Sequence, residues 1–248
     1  GIYGQGRQAL NILVMLPAIF GLAFFPSMTR YGLNSPIDAA RLGERALRFI
    51  LVGIVPVALL IMFVAEPIIH WFENSSRFDD SIIVMMIGIW GLPLHAITVV
   101  MNRLLMTAER EKHFIIIGLV PMLGNFALNL FLIPRYSYFG AAAATVASLM
   151  MSAGMHILFL RGTPFLPPLR KALLGPLLAT GATWGLGALI MRLIAPGWSV
   201  GWQGLPLHLG WWPFLATSLL MLGLYPVMLW LGRVIKKEDL QLLHELKQ

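Results

Sequence analysis

The sequence predicts an all-α polytopic membrane protein with seven transmembrane helices. Of its 248 residues, 58% are hydrophobic and only 12% are charged, whereas roughly a quarter of the residues in soluble domains are charged. Seven long stretches contain no Asp, Glu, Lys or Arg in their cores, and the connections between them alternate between many and few basic residues. Helices are expected because hydrocarbon cannot hydrogen-bond exposed backbone groups.

The seven spans are defined by their length. A helix rises about 1.5 Å per residue, so roughly 20 apolar residues cross about 30 Å of hydrocarbon. All seven stretches reach this length or come within one turn of it. They cover residues 10–28, 49–65, 82–101, 114–133, 141–160, 172–191 and 212–231.

Prolines lie inside every span except 141–160, at Pro17, Pro56, Pro93, Pro121, Pro176 and Pro226. An interior proline removes one helical hydrogen bond and bends the helix. Gly181 and Gly185 give the sixth span a small-residue face that favours close helix approach. Two interpretations stay open. These residues reflect the usual composition of membrane helices, or they mark the bent helices of a mobile transporter core.

The basic residues predict how the chain is oriented. The connections after the first, third, fifth and seventh spans hold 14 of the 18 Lys and Arg, and the other side holds Arg7, Arg77, Arg135 and Arg192. The positive-inside rule places the rich side in the cytoplasm. The chain is expected to enter its first span from outside and to end in the cytoplasm. This topology accounts for the net charge of +7, so nucleic acid is not an expected partner.

The first residue is Gly1 rather than Met. A cytoplasmic N-terminus would require at least one further span before residue 10. We therefore expect this sequence to be the C-terminal part of a longer protein.

Polar residues inside the spans are costly in lipid and indicate either helix contacts or function. Asn125 and Asn129 are four residues apart on one helical face. Together with Ser148, they are predicted to form interhelical hydrogen bonds. For His95 on the third span, a structural and a functional role both remain open.

The spans lack the usual signatures of catalysis. They contain no carboxylate pair for acid and base work, no His-rich ligand set and no phosphate-binding Gly-x-x-x-x-Gly-Lys motif. The absence of cysteine excludes a disulfide framework and a thiolate metal site. We expect no enzyme, no metal and no cofactor.

The fourth and fifth spans carry a motif, NFALNLFLIPRY at 125–136 followed by GAAAAT at 140–145. It resembles the N-x-x-L-N-x-x-L-I-P-x-Y-G-x-x-G-A-A-x-A-T stretch of polysaccharide biosynthesis flippases. These are the O-antigen-translocase type of the multidrug/oligosaccharidyl-lipid/polysaccharide (MOP) exporter superfamily. Residues 1–3, 25–30 and 237–240 resemble the same family at matching places. Ser137 and Tyr138 depart from the pattern, since the family often has a single glycine after the tyrosine.

The resemblance implies a fold made of two pseudo-symmetric lobes of six helices. This chain would be the C-terminal lobe of a MATE-like MOP flippase plus two extra helices. Residues 1–162 would form five helices of that lobe, without its first helix. Residues 163–232 would form two additional transmembrane helices, and 233–248 a cytoplasmic tail. The missing N-terminal lobe of the same protein is then an expected partner.

The resemblance also implies a function, which is transport without chemistry. Such a flippase moves a polyprenyl-pyrophosphate-linked oligosaccharide, a precursor of cell-surface polysaccharide, across the bacterial cytoplasmic membrane by alternating access. The lipid-linked substrate and membrane lipids are the expected partners. A pyrophosphate crossing low dielectric needs cations or hydrogen-bond donors along its route. The resemblance makes the first and third spans the cavity walls and nominates Arg7, Gln8, Asn11, His95 and Asn102.

A further similarity supports a place for Arg7 in the cavity wall, although a second location stays open. It follows Tyr3 by four residues, which is similar to the lipid II flippase branch of the superfamily, where arginines face the cavity. Alternatively, Arg7 extends outward to the membrane interface.

Two other functions remain open. An ion-coupled multidrug exporter of the same superfamily is expected to carry a membrane carboxylate, and none lies in these spans. A membrane enzyme of envelope glycan assembly is less favoured, because the spans hold no acid and base pair.

Overall fold

The computed structural model describes residues 35–72, 79–194 and 212–232, together with the single positions 15, 17, 30 and 234. Within this part of the chain the regular structure is helical and contains no strand, which confirms the predicted all-α class. The helices are α1 (Pro36–Phe72), α2 (Asp79–Gly88), α3 (Gly91–Thr107), α4 (Phe114–Leu160), α5 (Leu169–Ile194) and α6 (Trp212–Leu231), with a short 3₁₀ helix at Glu111–His113.

Helix α1 is the centre of the described bundle. It packs against α2, α3, α5 and α6, while α4 packs on α2 and α3. The main core lies between α1 and α3, where the largest fully buried side chains are Leu47, Ile50, Leu51, Met101, Leu104 and Leu105. The two helices predicted as additional, α5 and α6, therefore contact this bundle through α1.

The third predicted span, 82–101, is not one continuous helix. It consists of α2 and α3, which are separated by a turn at Ile89 and Trp90. Pro93 has no N–H to donate to the Ile89 carbonyl. The N–H of Leu92 donates to that carbonyl instead, at 3.0 Å, which tightens the chain into the turn. The proline was expected to bend this span, and the structure shows a two-residue turn next to it within the apolar stretch Ser81–Thr107.

Helix α4 is an antiparallel hairpin made of the fourth and fifth predicted spans. Its 47 residues change direction at Ser137, whose φ of 51° and ψ of −131° are not helical. The Asn125 side chain hydrogen-bonds Ser148, 23 residues further on. Those residues would be about 35 Å apart in a straight helix. The two halves therefore lie side by side.

The reversal lies within residues 134–140, the connection that the sequence predicted between the fourth and fifth spans. The helix nevertheless continues past Pro134, where we expected it to end, and the chain reverses at Ser137. A proline removes one donor yet has a helical φ, so by itself it does not stop the helix. Gly140 permits the close approach of the two arms, because a Cβ at that position would overlap the main-chain oxygen of Leu132.

The predicted close approach at Gly181 and Gly185 is not made by the described residues. Both glycines are exposed, and no atom of another described residue would lie within 4 Å of their Cβ positions. Close approaches occur instead at Gly43 against Leu104 and at Gly91 against Leu149. Small residues thus permit helix contact only where a partner faces them.

Two described stretches are long and apolar enough to cross a membrane, by length and composition alone. They are Ser81–Thr107 and Glu111–Leu160, and Leu222–Leu231 is a shorter apolar helix. The first arm of α4 exposes a continuous apolar surface, which suits contact with hydrocarbon. That surface includes Ile115, Ile116, Leu119, Met122, Leu123, Phe126, Leu130 and Phe131. The first predicted span, 10–28, lies almost wholly outside the described residues, so the count of seven spans stays a prediction.

Candidate functional site

Two of the five predicted cavity residues lie in the described structure. His95 and Asn102 are both on α3. Arg7, Gln8 and Asn11 lie outside the described residues. The site can therefore be built only from α3.

His95 and Asn102 lie on one stripe of α3. The stripe consists of His95, Val99, Asn102 and Met106, which are spaced four, three and four residues apart and therefore share a face. Asn102 is exposed, and the other three side chains are half-buried. Within Gly91–Thr107, only Asn102 is fully in the exposed range. The stripe is the open side of an otherwise packed helix.

The remaining surface of α3 explains why this stripe is open. Buried side chains flank it and cover the opposite face, among them Leu92, Ala96, Val100, Leu104 and Leu105. These side chains belong to the main core that α3 shares with α1, and α3 also packs on α4. Helices α1 and α4 thus occupy the other sides of α3. A carboxamide on the remaining side is available to a ligand or to another segment.

The threonine hydroxyl groups of α3 already donate hydrogen bonds within the helix, so they are not available to donate to a ligand. The Thr98 hydroxyl donates to the His95 main-chain oxygen at 2.8 Å, and the Thr107 hydroxyl donates to the Arg103 main-chain oxygen at 3.0 Å. These hydroxyls are satisfied within their own helix. The Asn102 side chain makes no hydrogen bond to another described residue. Within the stripe, the open carboxamide and the half-buried imidazole are the groups suited to an incoming acceptor.

A second polar group lies inside the α4 hairpin. Asn129 Nδ2 donates to Asn125 Oδ1 at 2.9 Å, and Asn125 Nδ2 donates to Ser148 Oγ at 3.4 Å. The Ser148 hydroxyl donates to the main-chain oxygen of Thr145 at 2.7 Å. The predicted interhelical hydrogen bond is confirmed for Asn125 and Ser148, whereas the bond of Asn129 lies within its own arm. Asn129 Oδ1 is buried without a donor among the described residues.

Sequence reasoning missed a buried ion pair. Arg48 Nη1 lies 3.5 Å from Glu44 Oε1, and their side chains are only 9% and 14% exposed. Both residues precede the second predicted span, so they were counted as part of a cytoplasmic connection. Their four-residue spacing, on the face that carries Leu47 and Leu51, was the available signal. The two opposite charges compensate each other inside the bundle.

No metal centre is indicated in this part of the chain. The described residues contain no group of three or more His, Asp or Glu side chains that could hold a metal ion. The candidate site is the polar stripe on α3.

Comparisons with known proteins identify a family and a similar fold. The family model described as "Lipid II flippase MurJ" matches residues 8–201. A solved structure titled "Lipid II flippase MurJ, inward closed conformation" has a similar fold, with a TM-score of 0.62 at 17% identity over 90% of this chain. The match covers 45% of that structure, so the chain spans about half its length. No curated protein sequence matches.

Proposed function

Since this chain belongs to the lipid II flippase MurJ family, we propose that it forms the C-terminal half of a flippase for a polyprenyl-pyrophosphate-linked precursor of the cell envelope. The family match over residues 8–201 carries the proposal. Flippases of this family are transporters and not enzymes, which agrees with the expectation drawn from the missing catalytic motifs. The transport path is proposed to cross the bacterial cytoplasmic membrane, with the C-terminus of the chain in the cytoplasm.

The proposed substrate is a lipid II-type molecule, in which sugars are joined through pyrophosphate to a long lipid. The sequence motif at 125–145 resembles flippases of the O-antigen type, whereas the family match names lipid II. Both substrate types share the polyprenyl-pyrophosphate group. We favour the lipid II type because the family match covers most of the chain, whereas the motif is confined to the α4 hairpin. That hairpin motif supports packing and says little about the substrate.

The proposed mechanism assigns the open stripe of α3 to a cavity wall. A pyrophosphate that leaves water loses its hydration and needs donors along the way. Asn102 and His95 provide an amide and an imidazole on one face, about 10 Å apart along the helix axis for a seven-residue spacing. Arg7, Gln8 and Asn11 are proposed to provide further donors from the first span. An N-terminal lobe of the same protein is proposed to form the opposite wall.

Alternating access is the proposed mode of transport. The polar head group would cross between the two lobes while its hydrocarbon tail stays in the bilayer. No covalent bond is made or broken, so the protein needs donors and conformational change but no catalytic group. The multidrug exporter alternative is not favoured by the family match.

The test is replacement of a native lipid II flippase. The protein, expressed from its full reading frame, is introduced into bacteria depleted of their own lipid II flippase. The fraction of lipid II open to cleavage by an externally added hydrolase is then measured. Restored growth and restored cleavage are expected. Asn102→Ala is expected to lower the cleavable fraction about tenfold, the effect of losing roughly 1.4 kcal/mol of hydrogen bonding to a charged group.

Asn125→Ala is the matched asparagine control. It removes the same group from the α4 hairpin, so it is expected to reduce the amount of folded protein without changing transport per folded molecule. Equal losses of transport per folded molecule in both variants would show that Asn102 does not line the cavity. Restored export of an O-antigen-type polysaccharide without lipid II flipping would reassign the substrate. Extrusion of cationic drugs without lipid transport would favour the exporter alternative.

A further inference from the structure

The carbonyl of Val52 in α1 has no donor within its own helix. The N–H that would reach it belongs to the residue four positions later, which is Pro56, and proline has no N–H. A backbone carbonyl left unpaired in hydrocarbon is costly. Some other group must therefore satisfy this oxygen if α1 is to remain helical through Pro56.

Tyr225 of α6 provides that group. Its hydroxyl donates to the Val52 main-chain oxygen at 2.7 Å, across 173 residues of sequence. The Tyr225 side chain is buried in a small cluster with Ala179 of α5 and with Leu229, and Val52 packs against the same cluster. One side chain therefore joins α1, α5 and α6.

We propose that Tyr225 is a positioning residue that holds the C-terminal helix pair, α5 and α6, to α1 at its proline. A phenyl ring would fill the same cluster, so burial alone requires only phenylalanine. The hydroxyl is required because Pro56 removes the intrahelical donor. When α1 bends at Pro56, the Val52 oxygen moves with it, and α6 must follow or the bond must break. The bending of α1 and the position of α6 are coupled through this hydrogen bond.

This coupling does not depend on which lipid the protein transports. It concerns α1, the central helix of the bundle, whose other neighbours include α3 with the open stripe. A change of bend in α1 therefore displaces both the C-terminal pair and the wall of the candidate cavity.

A double-mutant cycle tests the bond. Pro56→Ala restores an N–H at position 56, which gives the Val52 carbonyl a donor within α1. Tyr225→Phe alone is expected to lower the thermal midpoint of the purified full-length protein by about 1 to 2 °C, because the loss of one such bond shifts the midpoint less as the protein becomes larger. In the Pro56→Ala background, the same replacement is expected to change the midpoint by less than half as much. Equal shifts in the two backgrounds would overturn the proposal.

A distance measurement tests the positioning role separately from stability. This chain contains no cysteine, and Gly154 of α4 and Gly223 of α6 both face open space. Spin labels on Gly154→Cys and Gly223→Cys report the position of α6 relative to the bundle. Tyr225→Phe is expected to broaden the distance distribution, and adding Pro56→Ala is not expected to narrow it. An unchanged distribution in Tyr225→Phe would show that the hydroxyl does not position α6.

Tyr136→Phe is the matched control for both measurements. Tyr136 is exposed on α4, so removal of its hydroxyl is expected to leave the midpoint and the distances unchanged. A shift equal to that of Tyr225→Phe would attribute the effect to tyrosine removal in general and contradict the proposal.

Discussion

The Arg110 guanidinium donates a hydrogen bond of 2.9 Å from Nη1 to the main-chain oxygen of Phe159, 49 residues further along the chain. Phe159 is the next to last residue of α4, where the final carbonyls have no helical donor and carry partial negative charge. Arg110 therefore caps the C-terminus of the α4 hairpin from the turn that precedes its N-terminus. The His113 ring lies 4.5 Å from the Phe159 ring and adds a packing contact.

Replacing Arg110 should loosen both ends of the α4 hairpin. Arg110→Ala is expected to lower the free energy of unfolding by about 1 to 2 kcal/mol, because the carbonyl loses a charged donor. Arg110→Lys should recover part of that loss. Reversible denaturation in detergent measures the effect, with the exposed Lys112→Ala as the control. Equal stability of Arg110→Ala and wild type would mean that the carbonyl finds another donor.

Ser137 is strained at the reversal of α4, and glycine should relieve the strain. A residue other than glycine at its φ and ψ costs about 1 to 3 kcal/mol. Ser137→Gly is therefore expected to stabilise the protein by about 1 kcal/mol, and Ser137→Val to destabilise it. Ser152→Gly, in the regular part of the same helix, should instead cost about 1 kcal/mol. If both glycine variants destabilise equally, the strain at Ser137 is absent in the membrane.

The hydrogen bond between Asn125 and Ser148 should contribute measurably to the hairpin. Asn125→Ala and Ser148→Ala are each expected to cost about 0.6 to 2 kcal/mol. The double variant should cost less than their sum, because the two residues share one interaction. Unfolding of the purified protein in detergent measures all three. Strict additivity would show that the two arms do not depend on this bond.

Replacing only Arg48 of the buried Glu44–Arg48 pair should destabilise the protein more than replacing both residues. Arg48→Met leaves the Glu44 carboxylate without its cation and is expected to cost about 3 kcal/mol. The double variant Arg48→Met with Glu44→Gln removes the uncompensated charge and should recover most of that stability. Thermal unfolding of both proteins is the measurement. A double variant as unstable as the single one would indicate that packing of the arginine stem dominates.

Arg7 is the sharpest functional prediction from sequence. Arg7→Ala is expected to abolish export of the lipid-linked precursor while the amount of protein in the membrane stays unchanged, because a pyrophosphate would lose its cation. Arg7→Lys keeps the charge and should retain part of the transport. Quantitative blotting and the external hydrolase assay provide the two readouts. Full transport by Arg7→Ala would place this arginine at the membrane interface instead.

The candidate site was partly predictable. The seven-residue spacing of His95 and Asn102 places them on one face of any helix, so their alignment followed from sequence. Whether that face is open depends on where α1 and α4 pack on α3, which no local pattern contains. For Glu44 and Arg48, in contrast, the local sequence suggested the wrong environment. Their charges suggested an exposed connection, but the apolar neighbours Leu47 and Leu51 draw the same face of α1 into the bundle.

The positions where helices are interrupted were also only partly predictable from the sequence. Pro93 and Pro134 are equally visible in the sequence, yet the chain breaks before one and continues through the other. Leu92 satisfies Ile89 by tightening a turn, whereas the α4 hairpin reverses at Ser137, where Gly140 allows the two arms to meet.

The amino-acid sequence alone determined that this chain is helical, strongly apolar and similar to lipid-precursor flippases, because composition and short motifs add up along the chain whatever the final packing. Only the tertiary structure decided that α4 folds back on itself, that α3 keeps one polar stripe open and that Tyr225 satisfies the carbonyl which Pro56 leaves free. Each of these depends on which distant residues meet. Many partners of similar apolarity compete for every helix face, so the choice is made by shape and by the few polar groups that must find a donor.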